Sequence, residues 1–448
     1  MDYFHSVTLD KDRCIGCTNC LKRCPTEAIR IRENKAVILN ERCIDCGECI
    51  RACPSHAKVA ITDPLDIIKK FKHSIALPAA SLFPQFKDVY DASIIIEGLY
   101  GLGFDHVFES AIGAGMISRA IKAKREGGIP RDSLPLISSA CPAIVRLIQV
   151  SYPSLIGNIV DLISPMEAAA RVARDEYCTK TGAKPEDVGV IYITPCSAKM
   201  TAIKTAPGME KSGIDGAISI QSIYGPLVST MRKGGNRQIR RASAADMGWA
   251  VYGGENSSLG IENSLAVDGI VNVIHCLEEI DNLNFSDLEY FEGRACTGGC
   301  VGGPLTVENS FVAGNRMRRM AESAPEDNND DLAAYGLEQL SFTKKLMPSN
   351  IFQFDGTMNE RLAQMDKMGR IAAKLPGLDC GSCGSPTCKT LAEDIVRGFA
   401  TELNCIFKMK DRVAVLAQQM LKISDSTRFL KGNGTGAGGA ISGDDDDI

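Results

Sequence analysis

Residues 14–25 read CIGCTNCLKRCP, and residues 43–54 read CIDCGECIRACP, the same cysteine spacing 29 residues later. A 4Fe-4S cube needs four thiolates converging on a small sphere. C-x2-C-x2-C wraps three of them from one loop, and the Cys-Pro at the end of each run supplies the fourth ligand of the other cube. On that spacing Cys14, Cys17, Cys20 and Cys53 hold one cube, and Cys43, Cys46, Cys49 and Cys24 hold the other. The competing reading is structural zinc, which uses paired cysteines rather than triples followed by Cys-Pro. Two neighbouring cubes form an electron wire in residues 1–63.

The rest of the chain is ordinary in bulk. Its 448 residues predict roughly three domains. With 50 Lys plus Arg against 55 Asp plus Glu, no sign dominates enough to point to nucleic acid or an anionic membrane. There is no apolar run of 18 residues and no signal-peptide layout at the N-terminus, so the expectation is a cytoplasmic protein. The 18 cysteines, about 4% of residues, fall below a disulfide scaffold and are clustered, which in a reducing cytosol points to metal ligands.

From Pro64 to about residue 365, apolar runs alternate with helical patterns, predicting an α/β domain with strands at Ser74–Pro78, Leu134–Ser138, Val188–Thr194 and Leu288–Gly293. Ser164, Pro165, Met166 and Glu167 read as a helix start, with Ser164 as N-cap and Glu167 as its capping-box partner. Cys141, Cys196, Cys296 and Cys300 each follow a predicted strand, where α/β folds place their sites. The glycines of ACTGGCVGGP (295–304) would let backbone approach an inorganic cofactor. Taken singly, each of these cysteines has a competing reading as a buried packing residue beside a glycine turn. Lys199, taken alone, reads as a surface lysine.

The segments SSACPAIVRL, TPCSAKM and ACTGGCVGGP, in this order behind a two-cluster ferredoxin module, resemble the three signature motifs of FeFe hydrogenases. The resemblance covers residues 1 to about 310 and implies an α/β H-cluster domain behind an N-terminal α+β bacterial-ferredoxin-like domain. It implies that Cys141, Cys196, Cys296 and Cys300 bind a further cube, with Cys300 bridging to a two-iron subsite carrying CO, cyanide and an azadithiolate. Lys199 matches the lysine that donates to a cyanide, and Pro78, Pro195, Ser197 and Met166 fall at cofactor-lining positions. Departures from the pattern bear on catalysis. Ala140 stands where highly active enzymes carry a proton-relaying cysteine, and a methyl group relays no proton. Met116 and Ile117 stand where that relay has a glutamate pair, and Thr194 and Arg294 replace methionines. Such changes resemble the sensory FeFe hydrogenases, in which the cluster is kept and rapid turnover is lost.

A third group, Cys380, Cys383, Cys388 and Cys405, resembles the 4Fe-4S module of the electron-transfer subunit RnfB and implies a fourth cube in a small α-rich module over 366–405. Ile406, Met409, Val413, Leu416, Met420 and Ile423 then follow a 3,4 rhythm, a short heptad stripe that would pair two chains into a homodimer, dock a signalling partner, or pack on its own domain. Residues 325–331 read as an exposed polar loop, Arg232, Lys233, Arg237, Arg240 and Arg241 as a basic stretch able to dock an acidic ferredoxin, and 432–448 as a disordered tail. Cys178 and Cys276 remain as packing cysteines.

The reading that follows is a slow hydrogenase, converting H2 to protons and electrons reversibly, serving as a hydrogen or redox sensor in an anaerobe. It exchanges electrons with ferredoxin or another redox partner and depends on maturation enzymes for the two-iron subsite. The alternatives are an iron-sulfur assembly or electron-transfer protein without that subsite, and an ordinary ferredoxin-linked hydrogenase with a changed proton path.

Overall fold

The structure is a computed structural model that describes residues 4–128, 130, 133–231, 241–326, 332, 335–349, 351 and 354–432. It divides into two compact units, Met1–Phe354 and Asp355–Ile448. The stretch 355–365, placed by the sequence reading in the middle domain, goes with the second unit. There the helix Met358–Lys374 begins at a complete Thr357–Glu360 capping box and packs on the helix Cys388–Val396.

The first unit opens with β1 (Val7–Leu9), β2 (Ile29–Arg32), β3 (Lys35–Ile38) and β4 (Lys58–Ala60). β1 pairs with β4 and β2 with β3, both antiparallel. The 29-residue repeat is visible in the backbone. Gly16 and Asp45, Thr18 and Gly47, and Glu27 and His56 are each 29 apart and all left-handed, so the two cysteine loops turn in the same way.

The α/β part follows with β5 (His73–Pro78), β6 (His106–Val107), β7 (Leu136–Ile137), β8 (Val188–Thr194), β9 (Gly216–Ser219), β10 (Ser264–Asp268) and β11 (Tyr290–Arg294). They form two parallel sheets, ordered β6-β5-β8-β9 and β10-β11-β7. All seven residues of β8 are buried, as a parallel strand covered on both faces requires, which is why VGVIYIT, mostly β-branched, reads as an apolar run without polar alternation. Two expected strands shift. β7 shortens to two residues, since Pro135 has no N–H to give a ladder, and β11 begins at Tyr290, where its pairing with Ser264 starts.

The helix Pro165–Thr181 starts at the proline and ends at left-handed Gly182. The capping box expected there is absent. Ser164 Oγ is buried with no hydrogen-bond partner, and the Glu167 carboxylate instead accepts from Ser212 Oγ and from the Gly213 N–H at 2.8 Å. Loop donors across the core outcompete the helix's own N-terminus for this buried acid.

In the second unit, the helix Ile406–Gly432 carries the heptad stripe, and all six stripe residues are exposed. The segment 232–240, the polar positions 327–331 and the tail beyond 432 lie outside the described residues; Arg241 is ion-paired to Glu176 at 2.6 Å. Among the described residues, no helix is long and apolar enough to cross a membrane.

Candidate metal centre

The eight N-terminal cysteines separate into two groups. Cys20 lies in the electrostatic field of Cys17, Cys53 and Cys14, while Cys46 lies in that of Cys24, Cys49 and Cys43. Each group thus draws its fourth member from the other half of the repeat. Backbone N–H groups aim at the sulfurs: Ala28 at Cys24 and Ala57 at Cys53, both at 3.2 Å and again 29 residues apart. Burial holds most of these thiols protonated when alone, Cys49 being pushed up to about 12, so the pockets suit sulfur whose charge is shared with metal. A buried ammonium points the same way. Lys58 is 2% exposed, its Nζ has no hydrogen-bond partner, and the thiols of Cys20 and Cys49, one from each group, feel its charge. An unpartnered buried cation between two cysteine sets fits a pair of anionic clusters.

The middle set gathers at the C-terminal ends of the parallel strands. Cys141 caps the helix Pro142–Ser151 just beyond β7, Cys196 caps the helix Ser197–Thr205 just beyond β8, and Cys296 and Cys300 follow β11. The charges of Cys141, Cys196 and Cys300 all bear on Lys199, and those of Cys141 and Cys300 on Cys296. Burial pushes Cys296 up to about 11 and Cys196 higher still.

Lys199 is not on the surface; it is 9% exposed. Burial opposes its charge, yet Tyr192 and the thiols of Cys300, Cys196 and Cys141 outweigh that and raise its pKa. Among the described residues no carboxylate pairs with it. A buried ammonium facing three of the four thiols fits the soft, anionic donor set of an iron-sulfur centre.

The glycines of 295–304 let neighbouring chain segments pack closely. A Cβ on Gly303 would lie 2.3 Å from the Pro195 carbonyl oxygen, and one on left-handed Gly299 2.6 Å from the Tyr252 nitrogen. The Cys196 and Cys300 loops therefore touch backbone to backbone, clasped by Leu305 N–H donating to Pro195 O at 2.9 Å. Of the other predicted lining residues, Met166, Ala140 and Pro195 are buried with Ser197, and Pro78 O accepts from Ser110 Oγ at 2.8 Å. Met116 and Ile117 are core residues on the helix Ile112–Glu126.

Behind Ala140 lies a polar network that sequence reasoning missed. The Ala140 N–H donates to Ser138 Oγ at 3.2 Å, and Ser138 Oγ donates to the Glu255 carboxylate at 2.8 Å. Glu255 also accepts from Tyr290 Oη at 2.5 Å and Arg294 Nη2 at 2.7 Å; Arg294 Nε donates to Glu292 at 3.1 Å. Burial raises the Glu255 pKa to about 7, against the pull of Arg294. Arg294 was legible only as a missing methionine. Glu255 and Glu292 had no spacing signal, because the three meet from a short helix and a neighbouring strand.

In the second unit, burial raises the pKa of Cys383, which has Cys380 and Cys405 as charged neighbours, and Cys388 opens its helix with its N–H on Asp379 Oδ1 at 2.6 Å.

Three stretches of the chain match known protein families. Residues 72–231 match the family described as iron only hydrogenase large subunit, C-terminal domain; residues 6–54 match a 4Fe-4S dicluster domain, and residues 375–407 a putative Fe-S cluster family. Iron hydrogenase 1 of Clostridium pasteurianum is 26% identical over 326 residues, covering 65% of this chain and 55% of that one. The periplasmic Fe hydrogenase large subunit of Nitratidesulfovibrio vulgaris is 29% identical over 221 residues, covering 44% and 51%. The chain spans about half the length of these curated relatives. Among solved structures, an apo FeFe-hydrogenase of Chlamydomonas reinhardtii is 14% identical with a TM-score of 0.48, covering 63% of this chain and 96% of that one.

Proposed function

We propose that this chain, a homologue of the FeFe hydrogenases with their H-cluster domain and a dicluster ferredoxin domain, interconverts H2 with protons and electrons slowly and acts as a hydrogen or redox sensor in the cytoplasm. The observation that carries the reading is the buried Lys199 beside Tyr192 and three of four thiols gathered from separate loops, with no carboxylate beside it among the described residues.

In this reading residues 1–63 hold two cubes with the crossed ligand sets given above. Residues 64 to 354 hold the catalytic centre, and the RnfB-like C-terminal module holds a fourth cube on Cys380, Cys383, Cys388 and Cys405. Cys141, Cys196, Cys296 and Cys300 hold the middle cube, and Cys300 also tethers the two-iron subsite. When bound, that subsite supplies an open iron for H2 and an amine base for its heterolytic cleavage. The chain's part is to bind and tune it. Lys199 Nζ donates to its anionic ligands, Pro195, Ser197, Met166 and Pro78 shape the wall, and Ala140 leaves no thiol to pass protons. Behind Ala140, the Glu255 carboxyl, with a pKa near 7, is able to hold and release a proton at the Ser138 hydroxyl.

Electrons pass to ferredoxin or a comparable redox partner. Maturation enzymes deliver the subsite, and the exposed heptad stripe pairs two chains or meets a signalling partner. Infrared spectra of protein matured with the two-iron cofactor, recorded under H2 and under inert gas, test the reading. CO and cyanide stretches that respond to H2 are expected. Their absence leaves an iron-sulfur protein without the subsite, and turnover as fast as that of a typical hydrogenase removes the sensory part.

A further inference from the structure

Among the contacts that join the ferredoxin-like lobe to the elements of the middle centre, three begin in residues 45–51, the stretch carrying Cys46 and Cys49. Ser197 Oγ donates to the Asp45 carbonyl at 2.7 Å. Left-handed Gly47 sits so close to Pro304 that a Cβ would lie 2.5 Å from its Cγ. Arg51 donates through one guanidinium nitrogen to the Gly302 carbonyl, two residues past Cys300, and through another to the Glu48 carboxylate, and its charge bears on the Cys296 thiol. Of the three, only Arg51 brings a full positive charge from one cysteine set against a thiol of the next.

A fixed positive charge beside a cluster's ligand loop stabilises whichever cluster state is more negative and so raises the reduction potential. Arginine stays charged at every working pH, so this influence does not vary with proton concentration. Glu48, paired with the same guanidinium, offsets part of it.

We propose that Arg51 is a positioning residue that raises the reduction potential of the cube on Cys141, Cys196, Cys296 and Cys300, and so sets the driving force for electron exchange with the cube on Cys24, Cys43, Cys46 and Cys49. In each exchange one cube is oxidised by one electron and the other is reduced by the same electron. No bond forms or breaks, and Arg51 moves no proton. The proposal rests on the ligand reading above but needs no two-iron subsite.

The test uses the full chain reconstituted with iron and sulfide alone, its cubes titrated with potential and followed by electron paramagnetic resonance. A Cys141→Ser variant identifies the signal of the middle cube. Arg51→Gln is expected to make reduction of that cube about tenfold less favourable, about 59 mV for one electron, with the lobe cubes moved much less. Arg51→Lys, keeping the charge, is expected to recover at least half of the shift. Glu48→Gln, a partly exposed change, is expected to move the same midpoint upward, and it carries the test if Arg51→Gln fails to retain iron. An unmoved midpoint in both Arg51→Gln and Glu48→Gln, or an equal shift of every cube, overturns the proposal. If Cys141→Ser removes no signal, the ligand reading itself falls and the proposal falls with it.

Discussion

Replacing Glu255 by glutamine is expected to flatten the pH dependence of stability and to make the first unit more stable above pH 7. The carboxyl is 1% exposed and its pKa is raised by burial from an ordinary 4.5 to about 7, Arg294 offsetting only part of that cost. An acid whose folded pKa exceeds its unfolded one contributes most below the unfolded value. Its contribution is lost as pH climbs from 4.5 through 7, and above that it stays lost. The loss comes to about 3 kcal/mol. Glutamine mimics the protonated acid: its amide oxygen can still accept from Arg294, and its NH2 can donate to Ser138 or Tyr290. Arg294 keeps Glu292 as counterion. The variant should therefore match the parent near pH 4 and exceed it by up to about 3 kcal/mol at pH 8. Trp249 is the single tryptophan of the chain and lies with its ring centroid 5.8 Å from the Arg294 guanidinium carbon, so its fluorescence during anaerobic denaturant titration reports this region. Equal slopes against pH in parent and variant, or a variant weaker than the parent at pH 8, would refute the reasoning.

Ala140→Cys should raise H2 turnover of cofactor-loaded protein by restoring a thiol beside the centre, and unchanged turnover would mean that Ala140 is not the bottleneck. Lys58→Met should lower the potentials of both lobe cubes, because the buried ammonium lies in the field of Cys20 and Cys49; redox titration with unmoved midpoints would count against it. Gly303→Ala, forcing a methyl group to within 2.3 Å of the Pro195 oxygen, should pry the Cys196 and Cys300 loops apart, cost about 1–3 kcal/mol and reduce bound iron, as measured by iron content and denaturation. Truncation after Cys405 should lower the oligomeric state seen by light scattering, and an unchanged mass rules out pairing through the heptad stripe.

Spacing along the chain was enough to read the two cysteine loops of the ferredoxin-like lobe, because their backbone geometry repeats with a period of 29 residues. It also placed the middle cysteines at strand ends, since parallel strands buried on both faces announce themselves as apolar runs. What only the tertiary structure decided is which distant groups share a low-dielectric pocket. Lys199 changes from an apparent surface lysine to a buried cation, Glu167 from a helix cap to a core acid, and Glu255 comes to stand behind Ala140 with Arg294 and Tyr290. None of these carries a periodic signal, because a charge's burial and its partners depend on elements that meet through folding, and local sequence pattern records only the element to which each residue belongs.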